Sequence, residues 1–273
     1  MTIDLACAIG TSSAIALAIV LYALRVARHG AARNARVERA GASLVIPKPA
    51  MEGAYWVLAP FASALVRLGV SATAVTASSV VLGAMTGIAL GTGHFGVAAL
   101  ISAFASLADA VDGLVAREAR TTSVAGAVLD SSADRYVEFF FLGGVLVFLR
   151  SDVVAVLLVL FALAGSFMVS YSTAKAEALR VPAPRGSMRR AERAALLFLG
   201  ALLTPFATAA AGAAGLGGRI ALLPILAAVR VVATAANASA VRRLVAIAHA
   251  ATERERVASP HVGHISLGHR PAH

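Results

Sequence analysis

Long runs of apolar positions alternate along the chain with short polar segments, and the runs have the length that a membrane demands. A helix crossing the hydrocarbon needs about 20 mostly apolar residues. Seven stretches meet that length, roughly Leu5–Leu24, Ser71–Leu90, Phe95–Ala116, Gly126–Phe148, Val153–Thr173, Ala194–Ala213 and Ile220–Val241. Glycine recurs inside them, as small residues do where transmembrane helices pack closely. No long alternating pattern of the kind that builds a membrane barrel is present. Between the first two runs, residues 51–69 are apolar but interrupted by Tyr55, Trp56, Pro60 and Arg67, which predicts an interfacial helix on the cytoplasmic face. From about Thr252 the chain is polar and carries His261, His264, His269 and His273, and a disordered tail is expected there. No internal repeat supports an inverted-repeat transporter. The pattern predicts an all-α integral membrane protein.

Composition agrees. Of 273 residues, 59% are apolar and 14% charged, against about 45–50% and about 25% in soluble domains. A water-soluble globule and a disordered chain are both excluded. The single Cys7 excludes a disulfide framework and a CxxC site. The net charge of +10 comes almost wholly from arginine. In a membrane protein such an excess marks loops retained on the cytoplasmic side rather than nucleic-acid binding. The first apolar run has only Asp4 before it and an arginine cluster (Arg25, Arg28, Arg33, Arg36, Arg39) after it, so it reads as a retained anchor with its N-terminus outside. Segments 25–70, 117–125, 174–193 and 242–273 then fall in the cytoplasm. The short external connections hold only Arg150 and Arg219 among basic residues.

Six aspartates occur in the chain, and four stand where lipid should forbid them: Asp109, Asp112, Asp130 and Asp134. A charge near the bilayer centre costs roughly 2.5–3.5 kcal/mol, so such groups face a wet cavity and a partner. Spacings of three and four place each pair on one helix face. The short connection 117–125 predicts antiparallel neighbours whose carboxylates converge at the cytoplasmic end. Four carboxylates at one depth call for divalent cations, and an all-oxygen set suits Mg²⁺ or Mn²⁺. Structural pairing with Arg117, Arg120 and Arg135 is the alternative, but it leaves the glycines unexplained. Gly113 and Ala116 lack bulk on the face of Asp109 and Asp112, leaving room for a flat ligand against the helix. Arg117 offers a cation for phosphate oxygens at the mouth. An ion path through a transporter or channel would instead spread its acids across the whole membrane depth.

The segment DAVDGLVAREARTTSVAGAVLDSSAD, 109–134, resembles the CDP-alcohol phosphotransferase signature D-x2-D-G-x2-A-R-x8-G-x3-D-x3-D, with every specified position matched. The resemblance implies a six-helix transmembrane core, with the first helix here an addition to it. Three regions follow: an anchor and arginine-rich connection (1–48), an interfacial helix plus six-span catalytic domain (49–247), and a polar tail (248–273). It implies a phosphatidyltransferase of the inner membrane, commonly a homodimer, whose active site faces the cytoplasm. Such enzymes take CDP-diacylglycerol and an alcohol and release CMP. Asp109, Asp112, Asp130 and Asp134 would bind two Mg²⁺ or Mn²⁺ ions, with Asp134 also the base toward the incoming hydroxyl. Asp112, Gly113, Ala116, Arg117 and Gly126 would border the cytidine and diphosphate. Upstream, LGVSATAVT departs from the family pattern, with Ala72 and Thr73 where Pro and Asn are usual, although Ser71 is retained as a helix cap.

The connection SYSTAKAEALRVPAPRGSMRRAERAALL, 170–197, resembles that of phosphatidyl- and archaetidyl-inositol-phosphate synthases. On that likeness Lys175, Arg190 and Arg193 would bind the phosphate of an inositol 1-phosphate acceptor. Ser172 and Thr173 depart from it, standing where a further Lys or Arg is frequent. Glycerol 3-phosphate, the acceptor of phosphatidylglycerophosphate synthesis, is the alternative.

Overall fold

The structure, a computed structural model, describes residues 2–30, 47–182 and 186–258, and the described residues are almost entirely helical. The helices are α1 (Ile3–His29), α2 (Lys48–Arg67), α3 (Ala72–Gly91), α4 (Phe95–Glu118), α5 (Val124–Phe148), α6 (Val153–Ala178), α7 (Arg190–Ala213), the single turn α8 (Gly218–Ala221) and α9 (Leu223–Ala258). Each apolar run of the sequence has become a helix. Most of the arginine cluster and the histidine-bearing tail lie outside the described residues.

Local chemistry sets the helix starts. Thr2, Ser71, Ser123 and Asp152 each accept a backbone N–H of the first turn, covering donors that a helix leaves unpaired. Ser71 is the cap expected despite the departure beside it. Among the described residues six helices (α1, α3, α4, α6, α7 and α9) are long and apolar enough to cross a membrane. The helix α5 has a span's length, but Asp134, Arg135 and Glu138 make its first half more polar.

The core forms where α6, α7 and α9 pack together and join α4 and α5 through residues such as Leu142, Val159, Ile225 and Val229. One expectation is corrected. Although joined by a short turn, α4 and α5 are not packed side by side; each packs along α3. The physical reason is a stripe of small residues. Gly83, Gly87 and Gly91 of α3 face Val137, Phe140 and Val147, and a Cβ at Gly87 would stand 2.5 Å from the Phe140 carbonyl oxygen. The backbone of α3 thereby comes close to α5, and α4 and α5 meet near their ends, at the aspartates on one side and through the Phe95 and Phe148 rings, 5.0 Å apart, on the other.

A second difference lies at the C-terminus. Instead of giving way to a polar tail, α9 runs on to Ala258, a helix of 36 residues. At about 1.5 Å per residue it is roughly 54 Å long, well beyond the hydrocarbon thickness. Its extension has work at the end of α6: Arg254 donates to the Leu179 and Arg180 carbonyls at 2.6 and 3.2 Å.

Candidate active site

The last turns of α4 and the first of α5 carry the aspartates. One carboxylate oxygen from each of Asp109, Asp112 and Asp130 lies within 4.8 Å of the others, a grouping able to hold a metal ion. Asp112 is buried, 6% exposed, and accepts a 2.6 Å hydrogen bond from the hydroxyl of Thr76 on α3. Thr76 is the last residue of the LGVSATAVT segment, and the packing of α3 on α4 is what brings it to Asp112.

Asp134 stands outside this group of three. It is bridged to Asp109 by one guanidinium: Arg190, from the start of α7, reaches Asp109 at 2.8 Å and Asp134 at 2.7 Å. The cation between the acids thus comes from the loop assigned to the acceptor. Arg135, one of the alternative partners, donates to the Ser131 carbonyl of its own helix.

Two cavities meet the acidic centre. The larger, about 600 Å³, lies between the start of α3, the end of α4 and the start of α5. Asp112, Gly113, Ala116, Arg117 and Gly126 all line it, as the sequence anticipated, and Asp130, Thr76 and Ser123 join them. Ser123 caps α5 by accepting the Gly126 N–H at 3.0 Å, which fixes the turn beneath the cavity. The second, about 360 Å³, lies between α5, α6, α7 and α9 and touches Asp134, Arg190 and Thr173.

In the second cavity the structure rearranges the expected cations. Arg190 lines it, as does Arg193, but Arg193 is 1% exposed and donates to both Glu138 oxygens, at 2.6 and 2.7 Å, and to the Met188 carbonyl at 2.8 Å. That pairing holds α7 to α5. Lys175 is exposed and is not among the residues lining the cavity. A different residue occupies the wall: Arg243 of α9, 8% exposed. Its guanidinium donates to the Gly186 and Ser187 carbonyls at 3.1 and 3.3 Å, while its Nε has no hydrogen-bond partner among the described residues. Gly186 lets the guanidinium lie close, since a Cβ there would stand 2.7 Å from that Nε. The sequence carries a signal for it: Ser239, Arg243 and Ile247 recur every fourth residue on the buried face of α9, beyond the apolar run that ends at Val241.

The arrangement is a carboxylate cluster flanked by a large cavity lined with small residues and a smaller one lined with arginines. Comparison with known proteins agrees. The sequence model of CDP-alcohol phosphatidyltransferases matches residues 69–235. Phosphatidylinositol phosphate synthase of Streptomyces avermitilis is 32% identical over 211 residues, covering 73% of this chain and 81% of that protein. Phosphatidylinositol phosphate synthase of Mycobacterium tuberculosis, solved with CDP-DAG bound, superposes with a TM-score of 0.62 at 25% identity, covering 70% of this chain and 93% of that one. A second crystal structure of the same enzyme, in complex with manganese and citrate, superposes equally well, at 25% identity over 70% of this chain and 88% of that one. Charged cluster, cavities and bundle therefore lie within a known transferase architecture, and the chain is a multi-pass membrane protein belonging to the CDP-alcohol phosphatidyltransferase family.

Proposed function

We propose that this protein transfers the phosphatidyl group of CDP-diacylglycerol to a phosphorylated alcohol, inositol 1-phosphate, with release of CMP. The observation that carries the reading is the meeting of two unlike cavities at one acidic centre. The small-residue cavity beside Gly113, Ala116 and Arg117 suits a cytidine and its diphosphate, and the arginine-lined cavity suits a monophosphate. Asp109, Arg190 and Asp134 stand between them.

The chemistry follows from that placement. The acceptor hydroxyl attacks the phosphatidyl phosphorus, a P–O bond forms, and the P–O bond to CMP breaks with its electrons leaving on the CMP oxygen. Asp134, on the border of the acceptor cavity, takes the hydroxyl proton. Arg190 holds Asp134 in place and offers positive charge to the incoming phosphate. Arg243, whose Nε has no partner among the described residues, supplies anion-binding donors in place of Lys175. Arg117 borders the diphosphate. The oxygen donors of Asp109, Asp112 and Asp130 fit Mg²⁺ or Mn²⁺, which when bound would neutralise the diphosphate and the departing CMP.

The cavities open at the end of the bundle that carries Arg117, Arg120, Arg180, Arg189 and Arg254. The positive-inside rule makes that end cytoplasmic. Donor tails would stay in the bilayer while CDP and acceptor stay in water. The homodimer expected from the family resemblance is part of the same reading and is tested by particle mass in nanodiscs. The reaction itself is tested by CMP release from CDP-diacylglycerol in proteoliposomes with Mg²⁺ or Mn²⁺. Inositol 1-phosphate is expected to support release, and release with glycerol 3-phosphate alone would reassign the acceptor.

A further inference from the structure

We infer that α1, which lies outside the matched catalytic region, is a brace that positions the wall of the large cavity, with Tyr22 as its positioning residue. The inference rests on reading that cavity as the donor site.

The helix is fastened at both ends to elements that build the site. At its external end the Asp4 carboxylate accepts the Gly96 and Val97 N–H groups at 2.9 and 3.3 Å and lies 3.0 Å from His94 Nδ1, so it caps α4 from another helix. Gly96 permits this approach, since a Cβ there would overlap the Asp4 backbone. At the other end Tyr22 is buried, 7% exposed, although α1 is otherwise largely open to the bilayer. Its ring lies against Gly53 of α2, where an added Cβ would stand 3.0 Å from two ring atoms. Its hydroxyl donates to Glu52 at 3.2 Å, and Arg25 lies 5.5 Å from the centre of the Trp56 ring.

What α1 holds is the helix that carries the cavity wall. On another face α2 buries Leu58 and Ala62 against Val75, Val111 and Val115, and Ser63 donates to Glu118 at 3.0 Å. Its end and the turn after it supply Val66, Gly69 and Val70 to the cavity lining, opposite Gly113 and Ala116. Amphipathic α2 would otherwise be held to the bundle mainly through α4. With Tyr22 seated on Gly53, α2 is gripped from two sides, and the width of the cavity is set before ligand arrives.

The acceptor cavity has no lining residue from α1 or α2, which gives the test its discrimination. The full-length protein in nanodiscs is compared with Tyr22→Ala, Tyr22→Phe and Glu52→Ala for CMP release and, separately, for Mn²⁺-dependent equilibrium binding of CDP-diacylglycerol. Tyr22→Ala is expected to raise KM and Kd for CDP-diacylglycerol about tenfold, with kcat and the KM for inositol 1-phosphate changed less than about twofold. Tyr22→Phe and Glu52→Ala, which keep or spare the ring, are expected to shift the donor constants in the same direction by about two- to threefold. These two milder variants carry the test if Tyr22→Ala fails to fold. Unchanged donor constants, or equal rises for donor and acceptor, would overturn the brace. A wild type that binds CDP-diacylglycerol but releases no CMP would overturn the proposed reaction, while the binding series would still judge the brace.

Discussion

At the residue scale, the acidic centre depends on a side chain with no charge. The Thr76 hydroxyl holds Asp112 at 2.6 Å, and groups that orient metal ligands typically alter affinity about 10–100-fold when removed. Thr76→Val is therefore expected to weaken Mn²⁺ binding at least about tenfold while the protein still folds, measured by Mn²⁺ titration. On the acceptor side, Arg243→Gln is expected to raise the KM for inositol 1-phosphate about 10–100-fold, the worth of a hydrogen bond to a charged group, with the KM for CDP-diacylglycerol nearly constant. Initial-rate kinetics with each substrate varied in turn checks both. The aspartates, Gly113, Ala116, Arg117 and Gly126 were legible because their spacing is set within a single hairpin of chain. The placement of Thr76 and Arg243 was not, since each reaches the site from a helix distant in sequence and only packing says what it touches. Arg190 and Arg193 lie three apart, on neighbouring positions of one helix, and sequence alone does not say which of them meets Glu138.

At the scale of elements, close approach of backbones explains what loop length misled. A connection of a few residues predicts neighbouring helices, yet the glycine face of α3 gives α4 and α5 a common partner instead. Gly87→Ala is expected to destabilise the bundle by about 1–3 kcal/mol through overpacking, seen as a lower unfolding midpoint in detergent. Helix ends give a change of opposite sign. Arg180 ends α6 in the left-handed region, φ 52°, while the Val181 N–H returns to the Ala176 carbonyl at 3.0 Å. Glycine is the residue that this termination favours. Arg180→Gly is expected to raise stability by about 0.5–1 kcal/mol, read from the same unfolding curves. Helix existence was plain in the apolar runs. The extension of α9 was hidden, because its last turns are polar and are stabilised through contacts such as Arg254 with the turn that follows α6.

At the scale of the molecule, charge asymmetry and cavity position point to one orientation. With Cys7 replaced by serine, a single cysteine at Thr122 is expected to resist a membrane-impermeant maleimide in intact cells, and one at Gly217 to react; the reverse pattern would turn the protein over. The all-helical bundle and the residues lining its larger cavity were readable from sequence, whereas the smaller cavity required the packing of four helices. Beside the larger cavity stands the trio Asp109, Asp112 and Asp130, whose oxygens come within 4.8 Å of one another. Mn²⁺ binding followed by electron paramagnetic resonance, wild type against Asp130→Asn, addresses that trio directly. The wild type should take up Mn²⁺ and the variant should lose that uptake and its CMP release while remaining folded. Equal Mn²⁺ uptake by both proteins would contradict a metal centre at these carboxylates.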